Sequence, residues 1–259
     1  MRFSCNVFIK KGTVIPSDYR RHLLSLVKES IKKSSNDGAE FYSRYYSENT
    51  TKPFTFSAYI PMKNENGKSL LSGDFFSFFF SSNDFEFLMR VYNGLLKINL
   101  EKNFKLFGEN FSIKKIIVLP EKKFEKDTMV FKTLSPFLVR DTENGDNYLY
   151  PKDFTIQTRN NGNQWQYWKE VELTNYLDSL KKNIEALVGI NDFSITLGKN
   201  IIVPILHGSG NDDHSFVMTF PGMKGEIEIQ ANPEILKLIY DIGIGARRSE
   251  GFGMLEVVE

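Results

Sequence analysis

The first half of the chain combines two hydrophobic patterns. Apolar residues that alternate with polar ones predict β-strands, and apolar residues three or four positions apart predict helices. Residues typical of helix caps and turns separate these segments. The predicted elements, in order, are a strand over residues 2–10, a helix from Ser17 or Asp18 to about Lys33, strands over 54–60 and 70–81 joined by a hairpin turn at 64–67, a helix over about 85–97 and a strand over 111–119.

The second half repeats this order less clearly after a charged linker over residues 121–127. The predicted elements are a strand over 128–139, a helix over 168–188, strands near 192–197, 201–206, 215–220 and 224–230, a short helix from Pro233 and a final strand. Each half has the order β-α-β-β-α-β of the ferredoxin-like unit, and the second half has an extra hairpin. We therefore predict an α+β fold of two tandem ferredoxin-like, or RRM-like, domains over residues 1–122 and 123–259.

Length and charge add limits to this picture. A chain of 259 residues exceeds the common domain size of about 100 to 150, which favours two domains. A net charge of +1 means that any nucleic-acid interface must rest on local basic clusters rather than on bulk charge. Neither half has the aromatic signature of an RNA-recognition motif, and the phenylalanines over 75–80 are mostly typical of core and edge packing.

Cysteine and histidine are too scarce for a structural metal site. Cys5, the single cysteine, is expected to be a buried thiol, and the three histidines form no cluster with zinc-ligand spacing. We expect no metal and no cofactor. The sequence has no apolar run of about 18 residues and no signal-peptide pattern at its start, so we expect a cytoplasmic protein.

The stretch over residues 241–254 is rich in glycine and carries two adjacent arginines. Glycine allows a positive φ and a close approach of the backbone to a ligand, and arginine supplies charge, so the stretch predicts a loop that binds a polyanion. It lacks the features of a P-loop or a dinucleotide loop. A glycine-rich hairpin with solvated arginines is the alternative.

A basic stripe is predicted on the first helix. At about 100° per residue, Arg21, Lys28 and Lys32 fall together beside the apolar face. Such a stripe is typical of a surface that binds a polyanion, and equally of an ordinary solvated helix face.

Several segments resemble one known family. The glycine-rich loop over 243–254, the opening Met1–Phe3, and the stretches Lys52–Ser57, Tyr92–Leu96 and Thr133–Pro136 are similar to motifs of the CRISPR-associated endoribonucleases that process repeat RNA, the sixth Cas family of the RAMP superfamily. They occur in the family's order and at plausible spacing. The resemblance therefore covers nearly the whole chain.

The resemblance implies two tandem ferredoxin-like domains and metal-independent cleavage of CRISPR repeat RNA. In that family the 2′-hydroxyl attacks the adjacent phosphate, which leaves a 2′,3′-cyclic phosphate and a 5′-hydroxyl. The glycine-rich loop contacts the RNA backbone. The RNA-binding residues predicted from the basic stripe and from this loop are Arg21, Lys32, Gly243, Gly245, Arg247, Arg248, Ser249, Gly251 and Gly253.

The catalytic positions carried over from the family show one departure. Members often have a Tyr on the first helix, a His just after it and a Lys before the next strand. Lys52 matches the Lys position, whereas Lys28 stands at the Tyr position and Tyr45 or Tyr46 at the His position. Because an ordinary Tyr has a pKa of about 10, it is a poor base at neutral pH unless nearby lysines lower that pKa. Lys28 and Lys52 can stabilise the phosphorane.

Other residues remain open alternatives. Tyr42 and Arg44 are reserve candidates, and all these tyrosines can also serve to close the helix over the sheet. His22 is a candidate for a displaced catalytic histidine, although it lies almost two helical turns before the Lys28 position. His207 and His214 flank a polar stretch and are expected to be surface residues in a solvent hairpin.

The missing histidine leaves three functions open. The first is the repeat-RNA endoribonuclease, and the second is a non-cleaving repeat-RNA-binding protein of the same fold. The third is a scaffold subunit of a CRISPR effector complex. Besides precursor crRNA, the resemblance allows an effector complex and a second copy of the chain as partners, and no membrane partner is expected.

Overall fold

The computed structural model describes residues 1–47, 50–145, 147–157, 167–209 and 216–258, and for 207–209 and 216–218 it describes the backbone only. The chain divides into two compact units, which we call unit 1 and unit 2. Unit 1 comprises Met1–Glu121 and Ser249–Gly251, and unit 2 comprises Lys122–Arg248 and Phe252–Glu259.

Unit 1 is built on a four-stranded antiparallel sheet with the strand order β2-β5-β1-β6. One face of this sheet packs with the helices in a phenylalanine-rich core. The order β1-α1-β2-β5-α3-β6 is the predicted βαββαβ arrangement. The elements of unit 1 are β1 (Arg2–Ile9), α1 (Tyr19–Lys33), α2 (Gly38–Tyr46), β2 (Phe54–Tyr59), β3 (Met62–Glu65), β4 (Lys68–Leu71), β5 (Phe75–Ser82), α3 (Phe85–Glu101) and β6 (Phe111–Val118).

Two details of unit 1 differ from the sequence prediction. The single strand predicted over residues 70–81 is wrong, because the chain breaks at Ser72–Asp74 into β4 and β5. β4 pairs with β3 through a turn in which Asn66 and Gly67 both have positive φ, as a two-residue hairpin requires. β5 instead pairs with β1 and β2. The helix α2, over a segment that the hydrophobic pattern left unassigned, is the second difference.

The helices α1 and α3 approach each other at Gly94. A Cβ atom added to Gly94 would lie 1.8 Å from the carbonyl oxygen of Ser30, and 2.6 Å from its Cα. Only glycine permits this distance between the two helix backbones. The family-like stretch Tyr92–Leu96 therefore contains a residue that sets the packing of the two helices.

Unit 2 contains a second four-stranded sheet with the order β11-β12-β7-β13 and a three-stranded sheet with the order β10-β9-β8. The order β7-α4-β11-β12-α5-β13 again follows the ferredoxin-like arrangement. The elements of unit 2 are β7 (Thr128–Thr133), β8 (Val139–Arg140), β9 (Tyr148–Pro151), β10 (Trp168–Val171), α4 (Leu173–Val188), β11 (Ser194–Ser209), β12 (Phe216–Gln230), α5 (Pro233–Ile242) and β13 (Leu255–Val257).

Three predicted bounds in unit 2 are wrong. The strand predicted over 128–139 ends at Thr133, because the chain turns before β8. Residues 168–171 form β10, which pairs with β9, so that the helix begins only at Leu173. The four short strands predicted between 192 and 230 are two long ones, β11 and β12, whose pairing continues through a register shift between Leu197 and Asn200.

The helices of the described part of the chain include none that is long and apolar enough to cross a membrane. Nor do the described residues bring three or more His, Cys, Asp or Glu side chains together as a group that could hold a metal ion.

Candidate functional site

Three lysines and two tyrosines of unit 1 form what we call the lysine–tyrosine cluster: Lys28, Lys32, Tyr42, Tyr46 and Lys52. The rings of Tyr42 and Tyr46, one helical turn apart on α2, stack with their centroids 4.5 Å apart. The Nζ atoms of Lys28 and Lys52 lie 5.0 Å and 5.1 Å from the centroid of the Tyr46 ring. Lys32 Nζ lies 4.4 Å from the Tyr42 centroid. Contacts of the cation–π type thus hold three lysine side chains beside one aromatic pair.

The environment of Lys28 favours its neutral form. Burial lowers the pKa of the Lys28 amine from its ordinary value, and the positive charges of Lys32 and Lys52 lower it further. Glu250 opposes this by raising the Lys28 pKa. Lys28 is only partly buried, so it remains open to a ligand while its proton is held less tightly than that of an ordinary lysine.

The pKa of Tyr46 is shifted upward, whereas that of Lys28 is shifted downward. Burial raises the pKa of the Tyr46 phenol, and Tyr42 and Glu250 raise it further. Its hydroxyl oxygen is buried and has no hydrogen-bond partner among the described residues. The neighbouring lysines therefore do not turn Tyr46 into a base. Its ring, which lies within 5.1 Å of both Lys28 Nζ and Lys52 Nζ, is the part of the residue that shapes the cluster.

Tyr45 lies away from the cluster, although it is adjacent to Tyr46 in sequence. Its ring packs against Phe41 and Phe87, with centroids 5.1 Å and 5.0 Å away. Its hydroxyl donates a hydrogen bond to Asp84 Oδ2 at 3.2 Å, and the other oxygen of Asp84 caps α3. Burial, and then Asp84, raises the Tyr45 pKa. These contacts favour a structural role for Tyr45, and its predicted catalytic role gains no support from them.

The histidine nearest in sequence also lies elsewhere. His22 Nε2 is 3.8 Å from Asp18 Oδ1, and its ring meets the edge of Phe107 with centroids 5.6 Å apart. The side chains of His207 and His214 lie outside the described part of the structure.

The residues 249–251 of the glycine-rich loop belong to unit 1. Arg20 Nε donates a hydrogen bond to the Gly251 carbonyl oxygen at 3.2 Å, and Glu250 acts electrostatically on Lys28 and Tyr46. Neither Arg20 nor Glu250 was predicted from the sequence, because α1 and the loop are far apart along the chain and no local pattern indicates either contact. Arg21, which is adjacent to Arg20, is partly buried, and its carbonyl accepts the Ser25 hydroxyl at 3.0 Å.

The rest of the loop belongs to unit 2, and its glycines determine how it packs there. The φ values are +77° at Gly243, +74° at Gly245 and +68° at Gly253, and Gly251 in the unit 1 part has a φ of +89°. A Cβ at Gly245 would lie 2.3 Å from the Leu138 carbonyl oxygen, and one at Gly253 would lie 1.9 Å from that of Ile244. Both glycines therefore serve close backbone packing, which fixes the shape of the loop.

The two adjacent arginines have different surroundings. Arg248 is buried, and its Nη1 donates to the Ile242 carbonyl oxygen at 2.8 Å. Arg247 is partly buried, donates from Nε to the Tyr148 hydroxyl at 2.7 Å, and stands over the Phe220 ring at 4.9 Å. Burial lowers the pKa of Arg248 to about 10. Arg247 is thus the more accessible of the two, while Ser249 lies in the short 3-10 helix Arg248–Glu250.

Replacing Arg248 by Ala is expected to lower the free energy of unfolding by about 2 kcal/mol, because the buried charged donor is lost and the Ile242 carbonyl oxygen loses the hydrogen bond from it. Denaturant unfolding of the full chain measures this change. Lys152→Ala, at an exposed ion pair with Glu172, is the control and should leave the unfolding midpoint almost unchanged. An unchanged unfolding midpoint together with weakened RNA binding would show that Arg248 acts on RNA instead.

Comparison with known proteins identifies the family of this chain. The family model described as "CRISPR associated protein Cas6, C-terminal" matches residues 119–257, more than half of the sequence. The chain belongs to the Cas6 family. One curated Cas6 relative, the CRISPR-associated endoribonuclease Cas6 of Pyrococcus furiosus, is 27% identical, and the match covers 94% of this chain and 83% of the relative.

Solved structures of Cas6 and RAMP proteins share the fold. A Cas6-related protein from Pyrococcus furiosus matches with a TM-score of 0.73 at 23% identity, covering 100% of this chain and 98% of the other. A RAMP protein described as binding different RNA substrates matches with a TM-score of 0.70 at 21% identity, with 100% of both chains covered. A further Cas6 structure gives 0.67 at 23% identity, with 100% and 99% covered. These matches confirm the predicted pair of tandem ferredoxin-like folds.

Proposed function

We propose that this Cas6-family protein is an endoribonuclease that cuts CRISPR repeat RNA by attack of a 2′-hydroxyl on the adjacent phosphate, without a metal ion. The products are a 2′,3′-cyclic phosphate and a 5′-hydroxyl. The observation that carries the proposal is the lysine–tyrosine cluster, in which Lys28 has a lowered pKa beside two further lysines. Family membership and the relative named as an endoribonuclease support the RNA substrate.

In the proposed reaction Lys28 acts as the general base. Its neutral amine takes the proton of the 2′-hydroxyl as the 2′-oxygen forms a bond to phosphorus. The ammonium of Lys52 stabilises the negative charge of the phosphorane and then gives a proton to the 5′-oxygen as the P–O5′ bond breaks. Lys28 ends protonated and Lys52 neutral, and exchange with water restores both.

Tyr46 is proposed as a positioning residue. Its ring lies close to the nitrogen atoms of both lysines, with Lys28 Nζ 5.0 Å and Lys52 Nζ 5.1 Å from the ring centroid. A buried hydroxyl with a raised pKa neither gives nor takes a proton readily at neutral pH. Lys32, which is exposed on α1, and Arg21 extend the positive charge along the helix for the RNA backbone.

The glycine-rich loop is proposed to contribute further RNA contacts. Arg247 and Ser249 remain predicted contacts. The backbone of Gly243, Gly245, Gly251 and Gly253 also remains a predicted contact, with weaker support because all four glycines are buried. Arg248 stays a predicted contact with weaker support, because its guanidinium is already bonded to the Ile242 carbonyl. A cytoplasmic location, an effector complex and a second copy of the chain also remain predictions.

The test is incubation of the purified protein with its own CRISPR repeat RNA in excess EDTA, beside the same RNA with a single 2′-deoxy nucleotide at the cut site. We expect one cut in the all-ribose RNA and none in the deoxy RNA, with a 2′,3′-cyclic phosphate on the upstream product by mass spectrometry. Cleavage of the deoxy RNA, or cleavage that stops in EDTA and resumes with added Mg²⁺, would rule out the proposed mechanism.

A non-cleaving repeat-RNA-binding protein is the second candidate. The buried hydroxyl of Tyr46, at a position where the family often has a histidine, favours it. The same experiment separates the two functions, because a non-cleaving protein would bind both RNAs and leave both intact.

A further inference from the structure

The sheet of unit 1 has an aromatic group on the face opposite its core. Phe8 on β1, Tyr59 on β2 and Phe75 on β5 lie on this face, and we call them the sheet platform. Tyr59 is 71% exposed and Phe75 38% exposed. Their neighbours Phe76 and Phe78 are fully buried in the core, so the phenylalanines of β5 are divided between the two faces. The expectation that this run is mostly core and edge packing is therefore correct only for part of it.

The sheet platform spans three neighbouring strands. Phe8 and Phe75 are directly opposite in the β1–β5 pair, with ring centroids 5.4 Å apart and an interplanar angle of 36°. Tyr59 faces Ser77 across the β2–β5 pair, and Ser77 faces Asn6 on β1. The Ser77 hydroxyl donates to Asn6 Oδ1 at 3.2 Å. Small polar side chains thus lie across the sheet from Tyr59, and the Tyr59 ring itself is largely exposed.

Positive charge surrounds the sheet platform. Lys114 on β6 places its Nζ 4.0 Å from the Phe8 ring centroid. Lys10 and Lys11, just after β1, and Lys115 are exposed, and the described residues offer no ion-pair partner to any of these four lysines. Asp74, which precedes Phe75, is the adjacent acidic residue. Exposed rings edged by lysines match the chemistry of single-stranded nucleic acid, since bases stack on rings and phosphates pair with ammonium groups.

We infer that the sheet platform binds unpaired bases of single-stranded RNA by stacking, with its lysines on the adjacent phosphates. The inference rests on the proposed function, because it gives the same repeat RNA a second contact outside the lysine–tyrosine cluster. The platform binds sequence-tolerantly, since every base offers a ring face. It contributes to affinity and takes no part in the bond changes.

The test uses the full chain and a fluorescently labelled repeat RNA that carries the 2′-deoxy substitution, so that binding is measured without cleavage. Tyr59→Ala and Phe75→Ala are each expected to weaken RNA binding about tenfold, and Tyr59→Phe to retain it, because stacking needs the ring and not the hydroxyl. Phe85→Ala is the matched control, since Phe85 is 61% exposed at the start of α3 and lies outside the sheet. Its affinity should equal that of the wild type.

Two further measurements separate the inference from its alternatives. With the all-ribose RNA at saturating protein, both alanine variants should cut at the wild-type rate. If the wild type binds the RNA but leaves it uncut, only the proposed function is wrong. The affinities of the variants then still test the sheet platform. The inference is overturned if both variants bind RNA with affinities within twofold of the wild type, or if the wild type itself does not bind RNA. It is also overturned by sedimentation that shows a wild-type dimer and a monomeric Tyr59→Ala protein, because a second copy would then cover the platform.

Discussion

Replacing Lys28 by Ala is expected to slow cleavage of repeat RNA by about 100- to 10,000-fold, the usual contribution of a general base. Lys28→Arg should be nearly as slow, because its guanidinium keeps the positive charge but stays protonated at any accessible pH. Single-turnover rates at saturating protein measure the chemical step. Arg21→Ala is the matched control on the same helix, and it should weaken binding with little effect on that rate, because Arg21 is not among the charges that shift the Lys28 pKa. Full activity of Lys28→Arg would show that Lys28 supplies only charge.

The pH dependence of cleavage gives an independent test of the same residue. The base form of Lys28 is the neutral amine, so its fraction rises as pH rises toward its lowered pKa. Cleavage by the wild type should therefore increase about tenfold per pH unit below that pKa and level off above it. Lys28→His should level off at a lower pH, because an ordinary imidazole has a pKa of about 6.5. Identical profiles for the two proteins would contradict the assignment of Lys28 as the base.

Replacing Gly94 by Ala is expected to destabilise unit 1 by about 3 kcal/mol or more, since the new Cβ would lie 1.8 Å from the Ser30 carbonyl oxygen. The new Cβ is fixed to the backbone of α3 and would clash with backbone atoms of Ser30 on α1, so the two helices must move apart. The sign of the effect is informative. In an exposed helix interior the same change stabilises by about 0.5 to 1 kcal/mol.

Urea unfolding of the full chain, monitored by a probe in unit 1, measures the effect of Gly94→Ala. Asn93→Ala is the control, because Asn93 is the preceding residue on α3 and is exposed. The two variants should differ in unfolding midpoint, with only Gly94→Ala shifted strongly to lower urea. Equal midpoints would mean that the helices can separate at little cost.

Much of the fold could be predicted from periodicity. The strand β1 and the helices α1 and α5 lie where the hydrophobic pattern places them, since most of their apolar residues face the core of their own unit. Periodicity did not reveal the break between β4 and β5, because apolar residues continue on both sides of it. The strand β10 was also missed, since its pairing with β9 depends on residues far along the chain. The division into domains at residue 122 stays a prediction.

The candidate site could be predicted in part. Lys28 and Lys52 were predicted from the family resemblance, and the structure brings both to the ring of Tyr46. The difference between Tyr45 and Tyr46 could not be read from the sequence, because it depends on which side of α2 faces Asp84. Arg247 and Arg248 likewise look equivalent in sequence. Only the tertiary structure shows that one of them is buried.

The segment Ser249–Gly251 has a consequence for how the protein folds during synthesis. These residues complete unit 1, where the Gly251 carbonyl accepts a hydrogen bond from Arg20, and a Cβ at Gly251 would lie 2.6 Å from the Phe56 ring. N-terminal units usually fold first as a chain leaves the ribosome. Unit 1 can begin to fold in that order, but it obtains its last contacts only when nearly the whole chain has been translated.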